Sequence, residues 1–299
     1  PRMHWINLTG GSFNRVDHCN FQGKKNSGVT VVTGIGEHHF LIDANHFDGR
    51  PPGLYNGFES IRLGTGDMTL LYGRIEGNLF ENCDGEAEII SVKAGVLRIS
   101  RNTFLDSRGT LCIRHANHVT IDHNFFLNRS RKPGVGGVRV HGSDNNILEN
   151  YFGGLTGPGL VTLWGDYEVP DFSYGDGEWF PYDFGAREYS YRRSSRVQVA
   201  YNTWADCRSF LDFGEYRKRD VVDQALPPGD WSFLNNLVVA TDSLFIRGGG
   251  ETGCRWAGNI FWNPKGRCIT GRDLPELSVR VIDPKLARAP DGLLRPSAD

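Results

Sequence analysis

The sequence of 299 residues predicts an all-β fold, a parallel β-helix in which each turn of chain stacks on the turn before it. The first observation is a repeated phrase, apolar-x-x-Asn-x-aromatic, and the second is the nearly regular interval between its copies. The third is the short length of the segments rich in Ile, Val and Phe between Gly and Asn residues, which is typical of strands. A recurrent interval of this size is one turn of a solenoid, and it determines the architecture before any local pattern does.

The repeated phrase occurs along most of the chain. The clear copies are Ile42–Phe47, Ile75–Phe80, Ile99–Phe104, Ile121–Phe126, Ile147–Phe152, Val199–Trp204 and Trp256–Phe261, and the weaker ones are Val16–Phe21, with Cys19 in the Asn position, and Phe233–Val238. From Asn45 to Asn259 the intervals between Asn residues are 33, 24, 22, 26, 52, 34 and 23 residues. We interpret the Asn side chains as a hydrogen-bonded ladder inside a bend, and the aromatic residues as a stack in the core.

The longest interval predicts that one turn carries an excursion, residues 166–193. This segment is dense in aromatic residues interleaved with acids, a composition that excludes a disordered linker. Two interpretations stay open, a satellite core packed on the side of the helix and a wall of a binding cleft. The excursion and the rest of the chain are predicted to form one domain, residues 1–299, and the lack of a capping helix before Trp5 leaves open whether N-terminal coils are missing.

Charge and composition exclude several classes of partner. The formal net charge of −2 argues against a general polyanion-binding surface, so no nucleic acid partner is expected and any acidic ligand must be recognised locally. No apolar run approaches the ~20 residues of a membrane span, so no membrane partner is expected. Six scattered cysteines indicate buried thiols rather than a zinc site or a disulfide scaffold. An exposed first coil would offer an edge for pairing, which predicts a homodimer.

Paired carboxylates form the first candidate site. Glu86 and Glu88 are two residues apart, so on a strand both carboxylates face the same way. Like charges at this spacing either point into solvent or share a cation, and both alternatives stay open. Asn56 lies 30 residues before Glu86, about one turn earlier, and is a candidate third oxygen ligand for a hard cation such as calcium.

Basic residues lie close to this acidic pair. Lys93 and Arg114 are 21 residues apart, about one turn, and should stack on adjacent coils along one face. Arg139 and His141 follow one turn later. A lone basic residue on a solenoid face is usually a solvated charge, but three consecutive coils in similar register indicate a row. A basic row beside a cation site is what a cleft for a polymer of uronic acids would need.

These residues resemble those of polysaccharide lyase family 6, which contains alginate lyases and chondroitinase B. The resemblance extends from about His18 to Val239 and is densest between Asn45 and Leu155. The motifs that carry it are Asn45-His46-Phe47 with Arg50-Pro51-Pro52, Asn56-Gly57, Ile61 to Gly66, Cys83 to Ser91, Lys93, Arg114-His115 and Gly136 to Gly142. The resemblance implies a right-handed single-stranded parallel β-helix, a secreted or periplasmic bacterial location, and cleavage of an acidic polysaccharide.

The resemblance also assigns roles. It implies calcium ligands at Asn56, Glu86 and Glu88. It makes Lys93 the catalytic base and Arg114 its partner at the glycosidic oxygen, in a β-elimination across a 4-linked uronic acid that leaves a 4,5-unsaturated sugar. Because a guanidinium releases a proton reluctantly, we expect Arg114 to stabilise negative charge while water or a neighbour such as His115 supplies the proton.

Four further residues are predicted to bind substrate carboxylates or hydroxyls, namely Arg62, His115, Arg139 and His141. Arg139 and His141 are two residues apart and can share a face. His115 is adjacent to Arg114, and adjacent residues of a strand face opposite ways. An orientation of His115 into the core therefore stays open.

Alginate is the favoured substrate because Arg50-Pro51-Pro52 and the phrase from Gly137 to Gly142 look closer to those of alginate lyases, and chondroitin or dermatan sulfate is the alternative within the same chemistry. Alginate-cleaving members usually carry Asn-Lys-Ser where this chain has Val92-Lys93-Ala94, which puts the substrate preference in doubt. A non-catalytic β-helix that only binds polysaccharide is the alternative from another class, and it is favoured if Lys93 faces the core. A pectate lyase is a third, although those enzymes usually display aspartates for calcium and an arginine base.

Overall fold

Three long parallel sheets make up the computed structural model, which describes residues 3–65, 69–166, 191–218, 223–239, 246–265 and 278–297. Sheet A contains β1 (Ile6–Ser12), β4 (Val31–His38), β7 (Ile61–Leu63), β10 (Glu88–Val92), β13 (Gly109–Ile113), β16 (Val135–Val140), β19 (Pro158–Val161), β22 (Ser209–Asp212) and β27 (Ile246–Arg247). Sheet B contains β2 (Arg15–Asp17), β5 (Leu41–Asp43), β8 (Arg74–Glu76), β11 (Leu97–Ser100), β14 (Val119–Asp122), β17 (Asn146–Leu148), β20 (Gln198–Ala200), β25 (Ser232–Leu234) and β28 (Arg255–Ala257). Sheet C contains β3 (Asn20–Gln22), β6 (His46–Arg50), β9 (Leu79–Cys83), β12 (Thr103–Leu105), β15 (Phe125–Leu127), β18 (Tyr151–Gly153), β21 (Thr203–Ala205), β26 (Leu237–Val239), β29 (Asn259–Trp262) and β30 (Val279–Val281). Two antiparallel pairs join β23 (Arg217–Lys218) to β24 (Asp223–Gln224), and β31 (Leu286–Arg288) to β32 (Leu294–Pro296).

Within each of the three sheets the strands are ordered along the chain, three numbers apart, up to the last coils. Each strand therefore pairs with the equivalent strand one turn before and one turn after it, which is the topology of a parallel β-helix and confirms the predicted fold class. The register keeps like residues together, since Ile75, Ile99, Ile121 and Ile147 are successive Cα partners in sheet B and are essentially unexposed. The apolar residue of the repeated phrase thus builds one continuous row of the core.

The Asn residues of the phrase form the predicted ladder. In each coil from Asn45 to Asn236 the side-chain amide nitrogen donates to the Oδ1 of the next Asn at 2.9–3.1 Å. The same Oδ1 also accepts the backbone N–H of the preceding Asn, and Cys19 N–H donates to Asn45 Oδ1 at 3.0 Å. Buried amides that are satisfied by one another stabilise each bend, and this confirms a structural role for these residues.

The aromatic residues stack as a column two positions further on. Ring centroids are 4.6–4.8 Å apart from each ring to the next along Phe21, Phe47, Phe80, Phe104, Phe126, Phe152 and Trp204. These distances match the spacing of neighbouring strands, about 4.8 Å, so one ring per coil fills the core without a gap. The predicted aromatic stack is confirmed.

Sharp corners between the sheets recur in every coil. Many corner residues adopt a left-handed backbone conformation although they are not glycine, and between sheets A and B they are Phe13, His39, Tyr72, Val96, His118, Asp144, Arg196 and Asp230, with φ between 50° and 63°. Such a conformation costs roughly 1–2 kcal/mol for each L-residue. The stacked ladders on either side of the corner hold it in place.

The cysteines are free thiols in the described residues. Cys83, Cys112 and Cys207 are buried, and burial raises the pKa of each thiol to about 12. Cys19 and Cys254 are only partly buried, which is a departure from the expected interior position. Cys268 lies outside the described residues.

Most of the predicted excursion, residues 167–190, lies outside the described residues, so both interpretations of it stay predictions, as does the single domain of residues 1–299. The excursion leaves sheet A after β19. At its base Gly165 exchanges two backbone hydrogen bonds with Leu226, at 2.7 and 2.8 Å, and Asp166 N–H donates to Tyr191 O at 2.9 Å. No described segment forms a helix long and apolar enough to cross a membrane.

Candidate active site

The predicted basic row lies where three successive strands of sheet A end. The last residues of β10, β13 and β16 are register partners, so the residue after each, Lys93, Arg114 and His141, stands at the same level. Backbone hydrogen bonds continue the ladder by one position, from Arg114 N–H to Val92 O at 2.7 Å and from His141 N–H to Ile113 O at 2.8 Å. The structure thus brings Lys93 and Arg114 onto adjacent coils.

Arg139 lies two residues earlier in β16 and holds one of the predicted metal ligands. Its guanidinium contacts the carboxylate of Glu88 and donates from Nε to Cys112 Sγ at 3.0 Å. Arg114 Nε lies 3.9 Å from the same carboxylate. Burial would raise the pKa of Glu88, but Arg139 and Arg114 outweigh burial, and the pKa is lowered below its usual value. Glu88 is therefore an ionised group between two cations.

Glu86 has the opposite surroundings. Its carboxyl group lies beside that of Glu59, and burial together with repulsion from Glu59 raises the pKa of Glu86 to about 8. The Gly57 N–H donates to Glu86, but Glu86 Oε1 and Glu59 Oε2 are buried and have no hydrogen-bond partner in the described part of the chain. Two carboxyl groups are thus packed together, and one oxygen of each has no donor in the described residues.

This acid pair fits a hard cation. Carboxylate and amide oxygens are the ligands that calcium prefers, and a buried carboxylate oxygen without a donor is available to an ion. Asn56, the exposed residue before Gly57, adjoins Glu86 through the hydrogen bond of that glycine. Of the predicted ligands, Asn56 is thus the chain neighbour of a backbone group that contacts Glu86, whereas Glu88 contacts Arg139.

Glu59 is a member of the acidic site that the sequence reasoning missed. It is only 1% exposed, and Arg62 Nε lies 3.6 Å from its Oε1. Glu59 is two residues before Ile61, and Ile61 pairs with Ile90, so Glu59 lies on the coil before Glu88, 29 residues earlier in the sequence. That spacing was a signal in the sequence. The predicted substrate residue Arg62 lies on this acidic side.

The two histidines predicted to bind substrate are mostly shielded. Burial, reinforced by Arg114, Arg192, Lys93 and Arg139, lowers the pKa of His115 to about 2. His141 is 0% exposed, and burial lowers its pKa well below the usual value. Three ring nitrogens, His115 Nδ1 and both nitrogens of His141, are buried without a hydrogen-bond partner in the described residues. Both rings are therefore neutral at ordinary pH.

Tyr191 explains the burial of His141. Its ring lies 4.8 Å from the His141 ring and 4.1 Å from the guanidinium carbon of Arg114, measured from the ring centroid. The backbone ladder continues through His141, so the ring is buried by this cover, and its predicted role in binding substrate stays a prediction. A polymer cannot touch His141 while Tyr191 covers it.

A cavity of about 280 Å³ opens beside Glu86. Its lining residues are Pro52, Gly53, Asp84, Gly85, Glu86, Ala87, Arg108, Gly109 and Gly134. Glycine is required at two of these positions, because a Cβ on Gly85 would lie 2.1 Å from Phe58 O and one on Gly109 2.7 Å from Glu86 O. The close backbone approach leaves an open space next to the acid pair.

A second group of possible ligands lies on sheet C. His46, Asp48 and Glu81 each offer an atom within 4.8 Å of the others. Here His46 Nε2 lies 3.2 Å from Glu81 Oε2, and Gln22 donates to Asp48. In the acid pair, by contrast, Glu59 Oε2 and Glu86 Oε1 are buried without a hydrogen-bond partner in the described residues, so the site on sheet A is the stronger candidate for a cation.

Comparisons with known proteins point to one family. A family model described as chondroitinase B matches residues 2–160, just over half of the chain. A mutant of the polysaccharide lyase family 6 alginate lyase AlyGC is similar in structure, with 27% identity and a TM-score of 0.82, and the match covers 99% of this chain and 38% of that one. A mannuronic acid specific family 6 lyase from human gut microbiota has 28% identity and a TM-score of 0.70, with 86% of this chain and 56% of that one covered.

The chain thus spans between about a third and three fifths of the length of these similar structures. The tailspike protein of E. coli bacteriophage HK620 shares the fold alone, at 12% identity and a TM-score of 0.54. No curated protein matches the chain.

Proposed function

The chain belongs to polysaccharide lyase family 6, the family of chondroitinase B, and from this premise we propose that it cleaves a 4-linked uronic-acid polysaccharide by β-elimination. The observation that supports this most is the position of Lys93 and Arg114 on adjacent coils, beside the acidic residues Glu86 and Glu88. Lys93 is partly exposed, so the condition that favoured a purely binding β-helix is not met.

Calcium is the proposed cofactor. The residues that would hold it are oxygen donors, namely Asn56, Glu59, Glu86 and Glu88. When bound, the ion supplies positive charge that neutralises a uronate carboxylate and makes the neighbouring C5 proton more acidic. The buried, unpartnered oxygens of Glu59 and Glu86 support this assignment.

Lys93 removes the C5 proton in the proposed reaction. A lysine must be neutral to accept a proton, and Lys93 stands beside Arg114 on the adjacent coil. The electron pair of the C5–H bond becomes the C4=C5 double bond, and the bond from C4 to the glycosidic oxygen breaks. Arg114, with an unpartnered buried Nη1, stabilises the negative charge that develops.

Alginate is the proposed substrate, and chondroitin or dermatan sulfate is the second candidate. The similar structures with 27% and 28% identity are named as an alginate lyase and a mannuronic acid specific lyase, which favours alginate. The description of the matching family model favours the second candidate. The sulfated polymers would need further cationic partners for their sulfates.

The test is the ultraviolet absorbance of the unsaturated uronate product. The protein is mixed with alginate and separately with dermatan sulfate, each with calcium and with a chelator, beside Lys93→Ala. We expect a calcium-dependent signal on alginate that disappears in Lys93→Ala. If the protein binds both polymers but yields no unsaturated product, the proposed lyase activity is wrong and the non-catalytic, polysaccharide-binding β-helix is the remaining hypothesis.

Two further proposals concern location and assembly. We propose a secreted or periplasmic protein and a homodimer. Light scattering coupled to size exclusion tests the second, and a monomer at micromolar concentration would contradict it.

A further inference from the structure

His46, Asp48 and Glu81 form a compact group on the outer face of sheet C, a different sheet from that of the candidate active site. His46 and Asp48 are two residues apart in β6, so both side chains point to one face, opposite the buried ring of Phe47. Glu81 in β9 is the register partner of Asp48. One ligand atom from each of the three residues lies within 4.8 Å of the others. Two hydrogen-bonded strands therefore hold three metal-binding side chains together.

The two carboxylates of this group lack a basic partner. Asp48 and Glu81 stand directly opposite each other on adjacent strands, an arrangement that is destabilising for like charges. On sheet B, by contrast, Asp43 pairs with Arg15 at 2.7 Å. In the described part of the chain, the one ion pair of either Asp48 or Glu81 is the contact of Glu81 with His46. A bound cation would remove this repulsion.

The distances fit a transition metal. Ligand nitrogens and oxygens lie about 2.0–2.2 Å from a tetrahedral zinc ion, so two of them are separated by roughly 3.3–3.5 Å. His46 Nε2 and Glu81 Oε2 are 3.2 Å apart, close to this separation. Gln22 Nε2 donates to Asp48 Oδ2 at 3.2 Å and orients that carboxylate, as outer partners of metal ligands do. The side chains of His46 and Glu81 are 36% and 35% exposed, so an ion and a water ligand can reach them.

The donor set selects the class of metal. The acid pair at sheet A offers oxygen atoms, which suit calcium, whereas the group on sheet C includes an imidazole, which suits zinc, copper and nickel. We propose that His46, Asp48 and Glu81 bind a divalent transition metal such as zinc, with water completing the tetrahedral coordination. The ion joins β6 to β9 and neutralises the two facing carboxylates. This site does not rest on the proposed lyase reaction.

Calorimetric titration of the whole chain with zinc chloride, in excess calcium that would occupy the acid pair, tests this proposal. We expect one zinc ion per chain that calcium does not displace. Cobalt in place of zinc should give the visible absorption of tetrahedral coordination. His46→Gln and Glu81→Gln should each weaken zinc binding by roughly 100-fold or more, since the loss of an outer partner alone costs about 10-fold to 100-fold.

His123→Gln is the matched control, because His123 also contacts two acids. His123 Nδ1 lies 2.7 Å from Asp122 and Nε2 lies 2.6 Å from Glu149, so the two carboxylates face opposite ring nitrogens and cannot share one ion with the same nitrogen. Zinc affinity should be unchanged in His123→Gln. Glu86→Gln should also keep it, which separates this site from the acid pair.

Three results would overturn the proposal. The first is a folded wild type, as judged by circular dichroism, that binds no zinc. The second is zinc binding that survives at full affinity in a folded His46→Gln or Glu81→Gln, and the third is binding that disappears in Glu86→Gln, because in both cases the ion lies elsewhere. No polysaccharide enters these measurements. Failure of the proposed lyase activity and failure of the metal site are therefore told apart.

Discussion

Asp122 on sheet B and Glu86 at the edge of sheet A are carboxyl groups whose pKa values move in opposite directions. Asp122 accepts two hydrogen bonds from Arg98, at 2.9 and 2.7 Å, and one from His123 at 2.7 Å, and these outweigh burial and lower its pKa. Glu86 lies beside another acid, and its pKa is raised to about 8. Asp122 thus has hydrogen-bond donors within the fold for its negative charge. Glu86 has an acid as its neighbour, and its buried Oε1 has no donor in the described residues.

The same contrast separates the interior ladder from the candidate site. Each buried amide of the Asn ladder has its partner in the next coil, whereas Glu59, Glu86, Arg62, Arg114, His115 and His141 each keep a buried polar atom without a hydrogen-bond partner in the described residues. Buried polar groups are normally satisfied, so a concentration of exceptions indicates where a ligand is expected. The Asn ladder therefore stabilises the fold, and the end of sheet A is the place where a ligand is expected.

The largest expected effect compares two arginines. Arg114→Ala should lower kcat/KM on alginate by roughly 100-fold to 1,000-fold, as loss of one charge-stabilising donor does. Arg98→Ala, on sheet B, should leave kcat/KM unchanged. Steady-state kinetics on alginate measure kcat/KM for both variants. Equal losses of kcat/KM in the two variants would contradict the functional difference between sheet A and sheet B.

A variant of the Asn ladder should lower the stability of the fold rather than act on the candidate site directly. Asn124→Ala removes bonds to Asn150 and Ile99 and leaves the amide groups of Asn102 without their acceptor, so the free energy of unfolding should fall by about 3 kcal/mol or more. Urea denaturation measures this, with the exposed Asn20→Ala as the control. A loss below about 1 kcal/mol would mean that the ladder relaxes easily.

A variant of the acid pair should be more stable than the wild type in chelator. The folded-state pKa of Glu86, about 8, lies above its ordinary value of 4.5, so the folded protein holds more protons and loses stability as pH rises between these values. Glu86→Gln removes that loss, and its advantage should grow over the same window to about 1 kcal/mol, allowing for solvent screening.

The measurement is urea denaturation at pH 5 and pH 8, at the two sides of that window. Glu76→Gln, whose parent residue pairs with Arg101, serves as the control and should gain nothing. Calcium should raise the melting temperature of the wild type more than that of Glu86→Gln. A pH-independent difference between wild type and Glu86→Gln would contradict the assigned pKa shift.

The smallest effect concerns the paired carboxylate. The pKa of Asp122 lies below 3.8, so its contribution is present above that pH and is lost as pH falls through the folded-state value. Asp122→Asn should therefore be about 0.5–1 kcal/mol less stable at neutral pH, with a difference that shrinks below pH 3.8. Unfolding free energies across this range test it, and a difference that persists in acid would point to packing instead.

The sequence predicted the parts of the fold that repeat. The Asn and aromatic positions were visible because each recurs once per coil, so the fold class, the ladder and the stack follow from spacing alone. Lys93 and Arg114 were placed on adjacent coils for the same reason, since 21 residues is about one turn. Repetition makes tertiary neighbours readable along the chain.

The remainder depended on contacts that spacing does not encode. Tyr191 belongs to the last residues of the excursion, so its position over Arg114 has no periodic signal. Alternation predicted that His141 can share a face with Arg139, but it could not show that the Tyr191 ring covers His141. Glu88 contacts Arg139 although the sequence paired it with Glu86. Which of several possible partners a side chain contacts depends on distances in the folded protein, and the spacing of residues in the sequence does not give those distances.

The coil-by-coil pairing has a mechanical consequence. Because each strand is bonded to the coils immediately before and after it, a force that pulls the chain ends apart along the axis peels one coil at a time, as in other nearly one-dimensional folds. Coils of 22–34 residues would lengthen the tether by roughly 70–120 Å each, at ~3.3–3.6 Å for every residue released. The coil that carries the excursion, with a 52-residue interval, would give one longer step and so mark the position of the candidate site on the force trace.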